Sequence, residues 1–296
     1  MMMNVAPEHN EWRLTRRTLI TGERTLLMGI LNVTPDSFSD GGQFFAIEKA
    51  LRCAEEMIEE GADILDIGGE STRPGASVIE AEEEIRRVVP VIERLVKITK
   101  VPVSIDTTKA AVARAALDAG AEIVNDVSGL RFDPTLADSV AEKKAGLVLM
   151  HSRGTMETMH GLAPVADILS EVTRSLRESI AEAVRRGVAR EQIAVDPGIG
   201  FGKSFEQNLE LIAGLDELVK EFARYPMLVG TSRKSFIGRI LDNAPASERV
   251  HGTMATVAAA VLAGANIIRV HDVRAARDTV KVCDCLRRAA FVNGHV

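Results

Sequence analysis

The sequence predicts an α/β protein, a single (β/α)8 TIM barrel with a short N-terminal hairpin, and three observations support this prediction. Eight short apolar runs, typical of buried parallel strands, are spread along the 296 residues. Amphipathic segments with apolar residues at helical spacing separate them. No Pro-, Gly- or Ser-rich linker divides the chain into halves, and such barrels commonly reach about 250 residues as one domain. A doubly wound open sheet is the alternative architecture.

The first 25 residues precede this pattern. They contain Trp12 and the dipeptide Thr21-Gly22, and we expect them to form a short hairpin that plugs the bottom of the barrel. We therefore divide the chain into an N-terminal extension over 1–25 and a barrel domain over 26–296.

The eight predicted strands share one plan, in which a β-branched or Leu-rich run ends at a polar residue or, once, at Gly230. In the runs that start at 61, 120, 145 and 264, we expect a glycine to close the preceding helix. The predicted strands lie within 26–31, 61–68, 103–105, 120–126, 145–151, 193–195, 227–229 and 264–271. The clearest predicted helices are 46–60, 82–96, 109–119, 165–186, 205–222 and 248–263.

Composition excludes several classes of protein. The 36 Lys and Arg against 42 Asp and Glu give a net charge of −6, so we expect no general affinity for nucleic acid or for an anionic membrane. The three cysteines, Cys53, Cys283 and Cys285, do not suggest a disulfide framework and fit a reducing cytoplasm. No apolar signal segment precedes Trp12, and the most apolar stretch, 254–268, is too short to span a bilayer.

The carboxyl ends of the strands are where barrels of this kind place their active sites. Nine polar residues occupy these positions in the predicted barrel: Asn32, Asp66, Asp106, Asn125, Asp126, His151, Asp196, Arg269 and His271. Any one of them could merely cap a helix or fix a turn, but this interpretation accounts poorly for all nine. We therefore expect a polar site at this end of the barrel.

Two of the loops after the predicted strands suggest ligand binding. The first, 32–42, is rich in Gly, Ser and Asp and is typical of a segment that closes over a ligand. The segment DPGIGFGKS (196–204) is not a Walker A motif, because Pro197 replaces the first glycine, and its glycine spacing is wrong for a dinucleotide fingerprint. We expect it to bring backbone and Phe201 close to a flat ligand.

Basic residues follow the last two predicted strands. Arg233 and Lys234 come after the seventh strand, and Arg269 and His271 come at the end of the eighth. Barrels commonly bind phosphate with the loops at these positions, so we expect an anionic substrate group here. A solvated surface pair is the alternative interpretation of Arg233 and Lys234.

Eight stretches, in order along the chain, resemble the dihydropteroate synthase family. They are MGILNVTPDSFSDGG, DIGGESTRPGA, VSIDTTK, IVNDVSG, LMH, DPGIGFGK with Asn208 beyond it, TSRKSFIG and IIRVHDV. Together they extend over nearly all of the chain after the first 25 residues. Ser152 and Met156 depart from the pattern LMHMRGTP that is more usual in the family.

The resemblance implies an activity, a cofactor and an assembly. The activity is condensation of 6-hydroxymethyl-7,8-dihydropterin diphosphate with 4-aminobenzoate, which gives 7,8-dihydropteroate and diphosphate in folate biosynthesis. The family uses magnesium and is usually dimeric, so we expect Mg²⁺ and a homodimer, with the Ala- and Arg-rich helices from about Glu248 onward as the candidate surface.

The resemblance also implies roles for single residues. The pterin pocket would use Asp106, Asn125, Asp196 and Lys234, with Met150 and Phe201 as apolar walls. Asn32, Arg269 and His271 would contact the diphosphate, and Asn32 would contact the magnesium ion. The 4-aminobenzoate site would be built from Phe38, Thr72, Arg73, Pro74 and Ser232. Direct roles in catalysis would belong to Asp40, which would come over the reacting carbon, and to Lys234, Arg269 and His271.

The chemistry of the reaction agrees with these implied roles. The amino-pyrimidinone edge of a pterin offers N–H donors that Asp106 and Asp196 can accept. Departure of diphosphate, which we expect before attack of the amine, develops negative charge that Arg269, His271 and magnesium can stabilise. Asp40 can stabilise the cation left on the pterin methylene. 4-Aminobenzoate is already a usable amine nucleophile, so no Ser, Cys or Lys nucleophile is needed.

Two other functions fit parts of the pattern. A methyltransferase that passes a methyl group from methyltetrahydrofolate to a corrinoid protein would share the pterin-reading Asp and Asn residues, but it has no use for the motifs STRPG and SRKS. A non-catalytic pterin-binding paralogue would not need five residues that are present here: Asn32, Arg73, Lys234, Arg269 and His271.

Overall fold

The computed structural model of the chain describes residues 10–33, 42–70, 79–155 and 158–292. Eight parallel strands form a barrel, with helices between successive strands. The strands are β3 (Leu26–Asn32), β4 (Ile64–Gly68), β5 (Val103–Asp106), β6 (Ile123–Asp126), β7 (Gly146–Met150), β8 (Ile193–Asp196), β9 (Leu228–Val229) and β10 (Ile267–Val270). The helices are α1 (Gly42–Glu60), α2 (Ala81–Ile98), α3 (Ala110–Asp118), α4 (Leu136–Lys143), α5 (Ile168–Arg185), α6 (Phe205–Ala213), α7 (Leu215–Glu221), α8 (Ser235–Ile240), α9 (Val250–Leu262) and α10 (Val273–Val292).

The barrel is closed by a short contact between its two outermost strands. Strands β3 to β8 are each hydrogen-bonded to the next, and β10 lies between β3 and β9. Val195 in β8 forms a parallel bridge with Met227, and the Val195 N–H donates to Pro226 O at 2.9 Å. The predicted (β/α)8 barrel is therefore confirmed, and the open doubly wound sheet is excluded because such a sheet keeps two unpaired edges.

The N-terminal hairpin plugs the bottom of the barrel, as the sequence predicts. Strand β1 (Asn10–Arg13) pairs antiparallel with β2 (Thr18–Thr21). Trp12 is fully buried, and its indole N–H donates to Gln192 O at 2.8 Å. Its ring belongs to an apolar cluster with residues of the barrel strands: Leu26, Met28, Ile64, Ile123, Val148, Ala194, Leu228 and Ile267. An aromatic ring of this kind removes about 150–250 Å² of surface from water, so the hairpin completes the core below the site.

Left-handed residues end three helices where the sequence predicts them. Gly61, Gly120 and Gly264 have φ angles of 109°, 108° and 107°, a conformation that glycine adopts without steric cost. In the fourth case the prediction is wrong, because Lys144 takes the left-handed position with φ 54° and Gly146 is the first residue of β7. The reason is space: a Cβ on Gly146 would lie 2.5 Å from Leu14 Cδ2 of the hairpin.

The single helix predicted over 205–222 is two helices in the structure. Helix α6 ends at Ala213 and α7 begins at Leu215, with Gly214 between them. A Cβ on Gly214 would lie 2.8 Å from Leu169 Cδ1 of α5, so the close approach of α5 explains the glycine. The other predicted helices are present, with ends shifted by a few residues. Within the described part of the chain, no helix combines the length and apolarity needed to cross a bilayer.

Candidate active site

A polar layer lies directly above the apolar interior of the barrel, at the carboxyl ends of the strands. Side chains of a strand alternate between its two faces, so the residue two positions after an inward-facing residue also faces inward. Four strands change from apolar to polar in this way: Ile64 precedes Asp66, Ile123 precedes Asn125, Ala194 precedes Asp196, and Ile267 precedes Arg269. The strand pattern itself therefore gathers these polar groups at one end.

Arg269 joins two carboxylates at the centre of this layer. Its Nε donates to Asp66 Oδ2 at 2.6 Å, and its Nη2 donates to Asp106 Oδ2 at 2.6 Å. Asn125 Nδ2 also donates to Asp66 Oδ2, at 2.9 Å. Asp66 is completely buried, and its Oδ1 accepts no hydrogen bond from any described residue. The cluster is thus one cation between two anions, and Asp66 Oδ1 can still accept a hydrogen bond from a ligand.

Burial and the ion pairs change the acid–base properties of the two ends of this cluster. Burial raises the pKa of Asp106 to about 7, although the neighbouring Arg269 charge opposes the increase. Burial alone would lower the pKa of Arg269, but the charges of Asp66 and Asp106 raise it above its usual value. Arg269 therefore stays charged at every physiological pH, whereas Asp106 is poised to exchange a proton near neutrality.

A second cluster, on β8 and the loop after β9, contains Asp196 and Lys234. Asp196 is buried, and its Oδ1 accepts from the Gly198 N–H at 2.6 Å, while its Oδ2 accepts from no described residue. The Lys234 ammonium donates to Ile199 O and lies 4.6 Å from the centroid of the Phe201 ring. Burial raises the pKa of Asp196 and lowers the pKa of Lys234 to about 8, and each charge opposes the change in the other.

Met150 completes this side of the layer. It is the last residue of β7 and pairs in register with Asp196, and it is almost fully buried. Gly198 lies against it, because a Cβ on Gly198 would be 3.1 Å from Met150 Cγ. The structure therefore brings together Met150, Asp196, Phe201 and Lys234 on one side of the layer.

Ser232 and His271 form a hydrogen-bonded pair at the ends of β9 and β10. Ser232 Oγ lies 2.9 Å from His271 Nδ1, and it also accepts from the His271 backbone N–H at 3.1 Å. Arg233, the next residue, is left-handed with φ 58° and donates to both carboxylate oxygens of Asp272, at 3.0 and 2.5 Å. Its guanidinium is thus paired with Asp272 and is not one of a solvated surface pair with Lys234; its role toward an anion stays a prediction.

Asn32, at the end of β3, lies on the Asp106 side of the layer. It pairs in register with Gly68, and Gly68 pairs in turn with Asp106. A Cβ on Gly68 would lie 3.6 Å from Asn32 Oδ1 and 3.9 Å from Asp106 Oδ2. The glycine therefore leaves open the space between the amide and the carboxylate.

Five predicted site residues lie outside the described residues: Phe38, Asp40, Thr72, Arg73 and Pro74. The loop that follows β4 is described at its two ends, Glu70 and Ile79. The Ile79 N–H donates to Glu70 Oε1 at 2.9 Å, and Lys109 Nζ donates to Glu70 Oε2 at 2.8 Å and to buried Glu84 Oε2 at 2.6 Å. These bonds connect the loop ends to α2 and to the start of α3.

Sequence reasoning assigned no role to two residues that prove central to the geometry. Asp66 is only one of nine strand-end residues in the sequence, although Arg269 joins it to Asp106 in the structure. Lys203 was seen only as part of a motif that failed to match, yet its ammonium donates to three backbone carbonyls beside Asp196. No periodicity in the sequence indicates such a contact, because carbonyl positions depend on the folded loop.

Comparison with known proteins gives concordant matches. The family described as pterin binding enzyme matches residues 28–271. A dihydropteroate synthase of Synechocystis sp. is 49% identical over 267 residues, which are 90% of this chain and 92% of that protein. A crystal structure of the Clostridium difficile dihydropteroate synthase in the presence of pteroic acid has a TM-score of 0.85 and 45% identity, covering 90% of this chain and 98% of that one. The Xanthomonas albilineans dihydropteroate synthase with 4-aminobenzoic acid has a TM-score of 0.87 and 43% identity, covering 94% and 98%.

Proposed function

The chain belongs to the dihydropteroate synthase family of pterin-binding enzymes, and we propose from this premise how its own residues carry out the reaction. The reaction joins 6-hydroxymethyl-7,8-dihydropterin diphosphate to 4-aminobenzoate, giving 7,8-dihydropteroate and diphosphate. The observation that carries the assignment of roles is the buried polar layer above the apolar interior, in which acceptor oxygens and cations lie on separate strand ends. The unit that works in this way is the barrel over 26–296, with 1–25 as an extension.

The pterin ring binds between the Asp106 and Asp196 sides of the layer. Its amino-pyrimidinone edge presents N–H donors, and Asp196 Oδ2 is an acceptor that no described residue occupies. Asp106 and Asn125 supply further polar atoms, and Met150 and Phe201 supply the apolar walls. Lys234 supports the same ring, since its ammonium is already held over Phe201. A buried site of this kind discriminates strongly, because an ill-matched ligand leaves its polar groups unpaired.

The diphosphate binds on the side of Asn32, Arg269 and His271. Arg269 keeps its charge at every physiological pH, so it can stabilise the negative charge that develops as the carbon–oxygen bond to diphosphate breaks. His271 is held by Ser232, which fixes the direction of its ring. Arg269 and His271 therefore lie where negative charge develops on the leaving diphosphate, and groups placed in this way lower the activation barrier by stabilising the transition state.

A magnesium ion fits the donor chemistry of this corner. Magnesium prefers oxygen ligands and commonly binds through one or two protein groups together with substrate phosphates and water. Asn32 Oδ1 is such an oxygen, and Gly68 leaves the space beside it open. Among the residues that the structure describes, no group of three or more His, Cys, Asp or Glu forms a metal site on its own. When bound, the ion would neutralise charge on the diphosphate oxygens.

The 4-aminobenzoate site is proposed from Phe38, Thr72, Arg73, Pro74 and Ser232. The amine nitrogen attacks the pterin methylene after diphosphate has left, a carbon–nitrogen bond replaces the carbon–oxygen bond, and the amine then loses one proton to water. Asp40 stabilises the cation on the methylene before attack. Of this set, Ser232 is almost fully buried beside His271, so the two substrate sites meet where diphosphate leaves.

The deciding experiment supplies the purified protein with dihydropterin diphosphate, magnesium and labelled 4-aminobenzoate. Formation of labelled 7,8-dihydropteroate, with release of one diphosphate for each product, is the expected result. A parallel incubation supplies methyltetrahydrofolate and a corrinoid acceptor. Methyl transfer without dihydropteroate would contradict the proposed reaction, and pterin binding without either product would indicate a non-catalytic paralogue.

Turnover should require a divalent cation, whereas binding of a pterin that lacks the diphosphate should not. The reason is that Asn32 provides only one ligand, so substrate oxygens and water must supply the remaining ligands of the ion. We expect activity to be lost in excess chelator and restored by Mg²⁺. Calorimetry with 6-hydroxymethyl-7,8-dihydropterin should give the same affinity in both conditions. Full turnover in chelator would contradict the metal role.

The affinity for the pterin should fall as the pH rises above about 8. Burial lowers the pKa of Lys234 to about 8 against the opposing charge of Asp196, while Arg269 also faces it and favours the neutral form. A ligand that prefers the ammonium form loses affinity above this pKa, by up to about tenfold per pH unit. Calorimetry with the dihydropterin from about pH 6 to about pH 9.5 measures this decrease. Lys234→Met should bind the dihydropterin weakly, and its affinity should not fall above about pH 8. An equal decrease in that variant would assign the titration to another group.

We also propose that the protein is a homodimer built on α10 and works in the cytoplasm, where its three cysteines stay free thiols. Val282 and Leu286 lie one turn apart on α10 and are 61% and 49% exposed, so together they form an apolar patch on the surface of this helix. Combining Val282→Lys with Leu286→Lys should raise the dimer dissociation constant at least about tenfold in sedimentation experiments. Ile98→Lys, at a 55% exposed position on α2, is the control and should leave the dimer intact. Equal dissociation in both would argue against α10.

A further inference from the structure

Lys203, which lies outside the proposed set of substrate ligands, bonds to three backbone carbonyls at once. Its Nζ lies 2.7 Å from Gly198 O, 3.0 Å from Phe201 O and 3.2 Å from His151 O. An ammonium group has three N–H donors and no acceptor, so every donor of Lys203 has a partner within the protein. Lys203 is therefore not a free cation that waits for an anionic substrate.

The first two carbonyls belong to a tight turn that follows β8. The Phe201 N–H donates to Gly198 O at 3.1 Å, which closes a turn over residues 198–201. Gly198 also donates its own N–H to Asp196 Oδ1 at 2.6 Å. The turn thus has the Asp196 carboxylate at one end and the Phe201 ring at the other, and Lys203 holds the carbonyls of both end residues.

The third carbonyl belongs to the neighbouring loop after β7, against which the turn is packed backbone to backbone. A Cβ on Gly198 would lie 1.8 Å from His151 O, and a Cβ on Gly202 would lie 2.6 Å from Arg153 O. These approaches bring carbonyl oxygens, which repel one another, toward the same point. The Lys203 ammonium donates to all three oxygens and offsets this repulsion, because charge-assisted hydrogen bonds are stronger than neutral ones. Burial lowers the pKa of Lys203, and the three acceptors favour its charged form.

We propose that Lys203 is a positioning residue of the pterin pocket, which holds the 198–201 turn so that Asp196 and Phe201 face the ring. The inference rests on the proposed pterin site. Lys203 acts on Asp196 through the Gly198 N–H and on the wall through the Phe201 backbone, and it contacts no reacting atom. Removing its ammonium leaves the Asp196 side chain present but frees its direction.

The test compares Lys203→Met with Arg153→Met. Arg153 also ties the two loops together, because its Nη1 donates to Gly202 O at 3.1 Å and its Nη2 to Ala163 O at 2.9 Å. It makes no bond to the 198–201 turn among the described contacts. Binding of 6-hydroxymethyl-7,8-dihydropterin is measured by calorimetry, the KM values for both substrates by kinetics, and thermal stability by melting.

We expect Lys203→Met to weaken dihydropterin binding by about tenfold or more, the loss typical of one charge-assisted hydrogen bond. Its KM for the pterin diphosphate should rise correspondingly, with a change of less than about threefold in the KM for 4-aminobenzoate. Arg153→Met should lower the melting temperature but keep the wild-type affinity. Lys203→Gln, which retains two donors, should bind with intermediate affinity, and it provides the same comparison if Lys203→Met does not fold.

Unchanged pterin affinity in both Lys203 variants would overturn the inference. An equal loss in Arg153→Met and Lys203→Met, in proportion to the loss of stability, would also overturn it, because Lys203 would then be only one more tie between two loops. Failure of the wild-type protein to bind the dihydropterin is a different result, since it contradicts the proposed function itself. The wild-type titration is therefore performed first.

Discussion

Replacing Arg269 with methionine should abolish turnover and lower the free energy of unfolding by about 3–5 kcal/mol at neutral pH, the usual cost of removing one partner from a buried ion pair. The guanidinium lies 2.6 Å from one oxygen of Asp66 and 2.6 Å from one oxygen of Asp106. Asp66 is completely buried, so water cannot replace the lost charge. Two carboxylates would then face each other without a cation. Urea denaturation measures the loss of stability, and the dihydropteroate assay measures turnover.

The loss should depend on pH in a direction that the buried carboxylates determine. Burial already raises the pKa of Asp106 to about 7, above the value of about 3.9 in an unfolded chain. Between these values the folded state binds more protons than the unfolded state, so this group makes the protein less stable as pH rises. Removing Arg269 takes away the charge that opposes this increase. Below about pH 6, Asp106 is protonated in both folded proteins, so the deficit of Arg269→Met should be smaller and nearly constant there, and it should grow as the pH rises above about 7.

Arg177 provides the matched control. It pairs with Glu221 on the surface, with its side chain 63% exposed, and such pairs contribute about 0–1 kcal/mol. Arg177→Met should therefore unfold almost as the wild type does. Arg269→Lys should fall between, because lysine keeps the charge but lacks the planar fork that contacts two carboxylates. A stability loss in Arg269→Met no larger than in Arg177→Met would show that the central cluster does not hold the strand ends together.

The barrel could be predicted from the sequence because its main determinants are local. Each strand is a short apolar run, and a glycine such as Gly61 or Gly264 marks the preceding turn in a conformation that few other residues adopt. Gly146 could not be interpreted in this way. It resembles the turn glycines in sequence, but a glycine is needed here because Leu14 of the hairpin leaves no space for a side chain. Leu14 lies 132 positions earlier in the chain and contacts Gly146 only in the folded barrel.

The location of the site could also be predicted, because parallel strands bring their carboxyl ends to one edge whatever their order. The pairings within it could not. Arg269 is 203 positions from Asp66 and 163 from Asp106, and only the order and register of β10, β3, β4 and β5 place them together. The sequence allowed Arg269 to be a free diphosphate ligand, whereas its two carboxylate partners show that it also organises the layer.

Arg233 illustrates the same limit at short range. Its neighbours Ser232 and Lys234 lie in the layer, so the sequence motif SRKS favours a common role for all three. The structure separates them, because Arg233 has a left-handed backbone and its side chain turns to Asp272. Arg233 also donates its N–H to Thr253 and its carbonyl accepts from Arg249. Such contacts, from α9 and the residue before it, fix the turn that directs Lys234 toward Phe201.

Asp196→Asn and Lys234→Ala should each weaken binding of the dihydropterin by about 2–4 kcal/mol, the scale for removing one partner from a buried polar set. Asparagine has nearly the same shape as aspartate, and its oxygen can still accept from the Gly198 N–H. Its NH₂ group would then point at the N–H donors of the ring, where Asp196 Oδ2 now offers an acceptor. Lys234→Ala removes the cation that stabilises the negative charge of buried Asp196. The two variants should therefore weaken binding of the same edge of the pterin ring for different reasons.

Calorimetry with 6-hydroxymethyl-7,8-dihydropterin separates this account from a general loss of structure. Asp118→Asn is the control for the first variant, because Asp118 pairs with Lys143 on the surface and is 53% exposed; it should bind as the wild type does. Since about 1.4 kcal/mol corresponds to a factor of ten in affinity, the two site variants should bind at least about thirtyfold more weakly. Unchanged affinity in both would mean that the ring does not lie between Asp196 and Lys234. If only Lys234→Ala loses affinity, the ring lies beside the ammonium and does not contact Asp196. The Asp196 carboxylate would then serve only to hold the loop through its bond to the Gly198 N–H.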